Sequence, residues 1–148
     1  MAEPFISALE SFVLSSGRPL RLGIFYTGGT FGGVTNPKTG KIVPLKDPKS
    51  VESLLLDSTN LRDFERLGVL EAKLVYVESL DSSQMKQPQR DLISSAINPE
   101  YSWFDGAIVV HGTDTGANTA TDLHFSFPYY NPLDLANNRQ TLNATKPI

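Results

Sequence analysis

Three apolar segments, each running directly into a polar, turn-rich sequence, constrain this chain more than any other feature. The first is Leu20–Tyr26 (LRLGIFY), followed by Thr27-Gly28-Gly29-Thr30-Phe31-Gly32-Gly33. The second is Ala72–Val77 (AKLVYV), followed by Glu78-Ser79-Leu80-Asp81-Ser82-Ser83. The third is Ala107–Val110 (AIVV), followed by His111-Gly112-Thr113-Asp114-Thr115. Helical stretches separate them. Asp47-Pro48-Lys49-Ser50 reads as a capped start ahead of Val51, Leu54, Leu55 and Leu56. Gln87–Ile97 sets Leu92, Ile93, Ala96 and Ile97 on one side, and 117–127 is a third candidate.

Strands alternating with helices need right-handed crossovers and therefore a parallel sheet. The expected fold is α/β, a mostly parallel sheet flanked by helices in a flavodoxin- or Rossmann-like three-layer arrangement. Functional groups in such sheets gather at the carboxyl ends of the strands. All three polar sequences stand at that edge, so residues far apart in the chain are predicted to meet in one crevice.

A chain of 148 residues is long enough for one domain with a real core, here expected to span 1–148. The absence of cysteine excludes a disulfide framework, a thiolate nucleophile and a cysteine-ligated zinc site. A net charge of −3 argues against a dedicated nucleic-acid binder, which carries a basic face. No apolar run approaches the ~20 residues of a membrane span. Near the N-terminus, Phe5, Ile6, Leu9, Phe12 and Val13 recur at helical period and are interrupted by Glu10, with no basic residue ahead of them. That pattern is a short amphipathic helix and not an export signal, so cytoplasmic residence is expected. Residues 127–148, with PYYNP and LANNRQ, read as a long irregular excursion. Lys146-Pro147-Ile148 reads as the start of a further strand, without which a sheet edge stays open.

Each polar segment has two readings. TGGTFGG is a close-approach loop presenting the Thr30 hydroxyl, or an ordinary tight turn. It matches neither G-x-G-x-x-G nor the phosphate loop G-x-x-x-x-G-K-[ST]. In Asp81-Ser82-Ser83 the short polar groups hold a substrate carboxylate, or cap the helix that follows. In His111-Gly112-Thr113-Asp114 the Thr is a second reactive or positioning hydroxyl and the Asp pairs with an ammonium group, or both cap the next helix. His111 reads as a hydrogen-bonded residue at a strand end rather than a base. Two histidines without clustered acids make no metal site. Lys38, Lys41, Lys46 and Lys49 read as a solvated loop with turn chemistry at Asn36-Pro37.

TGGT, DSSxM and HGTDT, in this order and each after a strand, together resemble the bacterial-type asparaginase family. The resemblance covers about Leu20 to Phe127 and corresponds to the family's N-terminal domain, in members about twice as long. It implies hydrolysis of the side-chain amide of L-asparagine, and of L-glutamine in some members, to the acid and ammonia. By that resemblance Thr30 is the nucleophile, and Thr113 activates water or steadies the tetrahedral centre. Ser82 binds the substrate α-carboxylate, Asp81 and Ser83 line the same pocket, and Asp114 binds the α-ammonium group. No metal or organic cofactor is implied, and a homo-oligomer is. The chain departs from the pattern in four places. The loop after TGGT has no Tyr, and Ile42 or a neighbour takes that region. The family's catalytic Lys lies beyond the strand that Lys146-Pro147 begins. The C-terminal domain is not represented, and the Asn-rich segment before Lys146 is longer than usual, as an insertion or altered sequence would be. Two further readings are an ammonia-generating subunit of a glutamyl-tRNA amidotransferase and a non-catalytic domain that binds amino acids or a partner.

Overall fold

The computed structural model describes residues 3–29 and 33–127. Its elements, in chain order, are α1 (Glu3–Ser16), β1 (Leu20–Gly28), β2 (Gly33–Thr35), β3 (Ile42–Pro44), α2 (Pro48–Ser58), α3 (Leu61–Arg66), β4 (Leu70–Leu80), α4 (Gln87–Glu100), β5 (Gly106–Val110) and α5 (Gly116–Ser126). A single 3₁₀ turn, Ser82–Gln84, joins β4 to α4. The three predicted strands are all present, and each is longer than its apolar run. The main sheet is parallel in the order β4-β1-β5. Leu20 pairs with Leu70 at one margin of β1, and Leu22 pairs with Gly106 at the other.

β1 is the centre of this sheet, and its side chains alternate between two cores. Ile24 and Tyr26 face Val51, Leu55 and Leu56 of α2. Phe25 faces Ile93 and Ile97 of α4, with Met85, Phe104 and Ala107. Burial on both faces explains why this strand reads as a continuous apolar run rather than an alternating one. The chain leaves β1 toward β4 through α2, then returns across β1 to β5 through α4. Two right-handed crossovers running in opposite directions put their helices on opposite faces. That yields the expected three layers.

Local chemistry explains the boundaries. The Asp47 carboxylate accepts the Ser50 N–H at 2.9 Å and the Ser50 hydroxyl at 2.6 Å, and Pro48 occupies the first turn of α2. These bonds hold the Asp47 carboxyl below the usual carboxylate range, the Ser50 hydroxyl contributing most. At the amino ends of the strands, the Asp105 carboxylate takes both arms of the Arg18 guanidinium at 2.7 Å and the Arg21 N–H at 2.9 Å. α1 buries Leu9 and leaves Leu14 in solvent, as a short amphipathic helix should.

The lysine-bearing stretch forms more structure than its composition suggests. β2 and β3 pair as an antiparallel hairpin, Thr35 opposite Ile42 and Gly33 opposite Pro44. The expected turn is there: Asn36 accepts the Gly40 N–H at 2.8 Å on its carbonyl and the Lys38 N–H at 2.9 Å on its side chain. α3 carries no buried residue, so its weak apolar pattern left it unread in the sequence. The 128–148 part of the expected irregular excursion and the expected edge strand at Lys146 lie outside the described residues. Among the described residues β5 pairs only with β1.

Candidate active site

The carboxyl ends of β1, β4 and β5 are stitched together before any functional side chain is considered. The Gly29 N–H donates to Leu80 O at 3.0 Å, and the Thr27 hydroxyl donates to Val110 O at 2.9 Å. Gly28 has φ of +103° and lies so close to β4 that a Cβ would fall 2.5 Å from the Leu80 nitrogen. Gly29, at φ +86°, lies against the third segment, where a Cβ would stand 2.7 Å from Gly112 N. Only glycine fits both the left-handed backbone and this approach. The glycines of TGGT therefore bring the first loop into backbone contact with the other two.

Ser82 is the hub of the second and third segments. It is 4% exposed, and its hydroxyl donates to Asp114 Oδ2 at 3.1 Å while accepting the Asp114 N–H at 3.2 Å. The Thr115 hydroxyl donates to Ser82 O at 2.8 Å. A Cβ on Gly112 would lie 2.6 Å from Ser82 Cβ and would overlap Ser82 Oγ as well. The helix-cap alternative fails here: α5 has no side-chain cap bond, because Asp114 and Thr115 are turned to Ser82. For the second segment it holds in altered form. The Asp81 carboxylate accepts the Ser83 N–H at 3.0 Å and the Ser83 hydroxyl at 2.8 Å, closing the short 3₁₀ turn and not α4. α4 opens instead with the Gln89 side chain accepting the Lys86 N–H at 3.2 Å.

An open cleft of about 450 Å³, its mouth included, is lined by Gly29, Ile42, Pro44, Asp81, Ser82, Thr113 and Asp114. All three strand ends and the hairpin contribute. Ser83 is not among these lining residues, its hydroxyl being turned to Asp81. Thr30 lies outside the described residues, although its chain neighbour Gly29 is part of the lining. The two titratable groups of the lining are both carboxyls. Asp81 is held below the usual carboxylate range, chiefly by the Ser83 hydroxyl and then by its N–H. No group of three or more His, Asp or Glu able to hold a metal ion occurs among the described residues. No described helix is long and apolar enough to cross a membrane.

The model of the asparaginase N-terminal domain matches residues 21–133 of this sequence. The chain belongs to the asparaginase family. Its family domain is 30% identical over 108 residues to a glutamyl-tRNA(Gln) amidotransferase subunit from Aeropyrum pernix, covering 72% of this chain and 23% of that protein. It is 30% identical over 102 residues to L-asparaginase 1 of Escherichia coli K12, covering 69% of this chain and 28% of that protein. Among solved structures, the thermostable L-asparaginase from Thermococcus kodakarensis superimposes with a TM-score of 0.56 over 72% of this chain and 30% of that one, at 24% identity, a likeness of fold. The chain thus spans about a quarter of the length of the curated relatives it matches.

The glycines of TGGT are expected from the sequence to allow close approach of a ligand, but sequence reasoning missed that Gly29 meets Gly112. It also missed Thr115 as a cross-link. Their signals are faint: a glycine just past a strand end, and a hydroxyl ahead of a helix whose cap it turns out not to be.

Proposed function

We propose that this asparaginase-family chain forms the substrate-binding, nucleophile-bearing part of an amidohydrolase acting on the side-chain amide of L-asparagine. The observation that carries the reading is the Ser82–Asp114 pair at the cleft wall. A hydroxyl donor and a carboxylate side by side match the two charges of an amino-acid zwitterion. On binding, the Ser82 hydroxyl swings its hydrogen from Asp114 to the substrate α-carboxylate. Asp114 then receives the α-ammonium group. The two new charge-assisted bonds replace one internal bond, so an α-amino acid gains more than a simple amine or a simple acid.

With the α-groups held there, the side-chain amide extends toward Thr113 and the loop that continues from Gly29 into Thr30. The Thr30 hydroxyl attacks the amide carbon. The tetrahedral intermediate collapses with loss of ammonia, leaving an ester on Thr30, and water releases L-aspartate. Thr113 orients that water or donates to the oxyanion. A threonine hydroxyl needs a base to act. Asp114 is committed to the ammonium group, and Asp81, held below its usual range, is a weak base. The base therefore comes from beyond the described lining of the cleft. No metal or organic cofactor takes part, and cytoplasmic residence and self-association belong to the same proposal.

Calorimetric titration with L-aspartate, the reaction product, tests the reading. Saturable binding is expected, and Asp114→Asn should weaken it about tenfold or more, as loss of a charged hydrogen bond does. Absence of binding to both L-aspartate and L-asparagine, together with no ammonia release, overturns it. The similarity to an amidotransferase subunit supports a second reading, in which the ammonia is passed to a partner. Ammonia release that appears only with a partner subunit and charged tRNA distinguishes the two.

A further inference from the structure

His111 takes no part in the cleft wall, yet both its ring nitrogens are engaged. Nδ1 lies 2.5 Å from the carbonyl oxygen of Gly112. Nε2 lies 2.9 Å from the Thr119 hydroxyl and 2.8 Å from Met85 Sδ. Thr119 and Met85 are 3% and 4% exposed, so this contact is inside the protein. Three separate pieces of the fold meet on the ring: the end of β5 through His111 itself, the turn after β4 through Met85, and α5 through Thr119.

A carbonyl oxygen can only accept, so Nδ1 carries a hydrogen. Nε2 faces the Thr119 hydroxyl and the Met85 thioether, which are themselves 3.7 Å apart. The carbonyl bonded by Nδ1 belongs to the peptide that joins Gly112 to Thr113. That peptide precedes Asp114 by one residue, and Gly112 itself rests on Ser82. The orientation of this one peptide therefore sets how Thr113 and Asp114 stand relative to the Ser82 hydroxyl.

We propose that His111 is a positioning residue, an Nδ1–H clasp that holds the Gly112–Thr113 peptide and so sets the Ser82–Asp114 geometry for the amino-acid ligand. The ligand part of this inference rests on the function proposed above; the clasp itself does not. With both nitrogens occupied away from the cleft, the ring is not a base for the reaction. Its two halves have separate jobs. Nδ1 aims the loop, and Nε2 with Thr119 and Met85 keeps the ring from turning.

Asparagine and glutamine divide these jobs between two variants. His111→Asn keeps an amide N–H near the Nδ1 position, whereas His111→Gln reaches toward the Nε2 position and loses the donor to Gly112 O. Long-range ¹⁵N correlation spectra of the 148-residue chain should show a hydrogen on Nδ1. Amide shifts of Ser82, Thr113 and Asp114 should stay near wild type in His111→Asn and move in His111→Gln and His111→Ala. L-Aspartate binding should fall about tenfold in His111→Gln and His111→Ala, the weight of one well-placed hydrogen bond, with most of it restored in His111→Asn. Urea unfolding midpoints keep stability apart from this comparison. A ring with no hydrogen on Nδ1 overturns the proposal, as do equal amide shifts in His111→Asn and His111→Ala. If wild-type chain takes up no L-aspartate, the functional reading fails, and the Nδ1 hydrogen and the amide shifts still decide the clasp.

Discussion

The Ser82 hydroxyl and Asp114 exchange two hydrogen bonds, Oγ to Oδ2 at 3.1 Å and the Asp114 N–H back to Oγ at 3.2 Å, across 32 residues of chain. Two loops of different strands thereby share one polar pair at the wall of a cleft. Ser82→Ala removes the donor and acceptor together but keeps the buried Cβ. L-Aspartate affinity is expected to fall about tenfold to a hundredfold, the range for a hydrogen bond to a charged group. Calorimetry measures the loss, and an unchanged dissociation constant would remove Ser82 from the ligand contact.

Gly112 tests the packing that brings the loops together. A methyl group there meets Ser82 Cβ at 2.6 Å and also strikes the hydroxyl oxygen. Gly112→Ala should destabilise the chain by about 1–3 kcal/mol, the usual cost of overpacking. It should also abolish aspartate binding, because relief comes only by pushing Ser82 away from Asp114. Gly68→Ala is the control: its φ is +70°, with nothing within 4 Å of the new Cβ, so it carries backbone strain without a clash and should leave binding intact. Urea denaturation and calorimetry on the two variants separate strain from collision.

Acid should loosen the joint between α4 and α5. The Arg90 guanidinium donates to Asp122 at 2.5 Å, and Gln87 adds a bond at 3.2 Å. Arg90, acting first through that hydrogen bond, holds the Asp122 carboxyl below its ordinary value of 3.8. A carboxyl depressed in the folded state contributes stability above the unfolded-state value and loses it as pH falls through the folded one. Urea midpoints should therefore drop as pH is lowered below about 3.8, and Asp122→Asn should flatten part of that drop. Asp47 and Asp81 are shifted in the same direction and add to the wild-type slope. An Asp122→Asn profile parallel to wild type would contradict this assignment.

Phe25 is fully buried at the centre of the sheet, edge-on to Phe104 with ring centroids 6.0 Å apart. Phe25→Ala should cost about 3–5 kcal/mol, a large share of the about 5–15 kcal/mol that holds a domain together. Thermal melting should show a much lower midpoint or no cooperative transition. Leu14→Ala, at a side chain 86% exposed, should leave the midpoint within error.

Much of this architecture was legible from residues alone, because it depends on local and periodic properties. The run LRLGIFY reads as a buried strand of a parallel sheet, while its place at the centre is decided by the order β4-β1-β5. Asp47-Pro48 ahead of Val51, Leu54, Leu55 and Leu56 reads as a helix start, and alternation of strand and helix implies crossovers and the shared edge where TGGT, DSSQM and HGTDT end. The hairpin at Gly33–Pro44 was less legible, since three-residue strands carrying Val34 and Ile42 in solvent have no burial period to betray them.

What the residue pattern left open was the choice between capping a helix and building a site, and that choice is made by distances between segments. Asp114 and Thr115 stand just ahead of α5, where local chemistry favours a cap, but Ser82 lies within bonding reach and takes both. Ser83 has the same hydroxyl as Ser82 and the opposite outcome, being turned to Asp81. His111 finds Thr119 and Met85 only because α5 and the turn after β4 pack on the same strand end. Hydrogen bonds reach about 3 Å and are blind to sequence separation, so periodicity can deliver such groups to one edge while packing alone selects their partners.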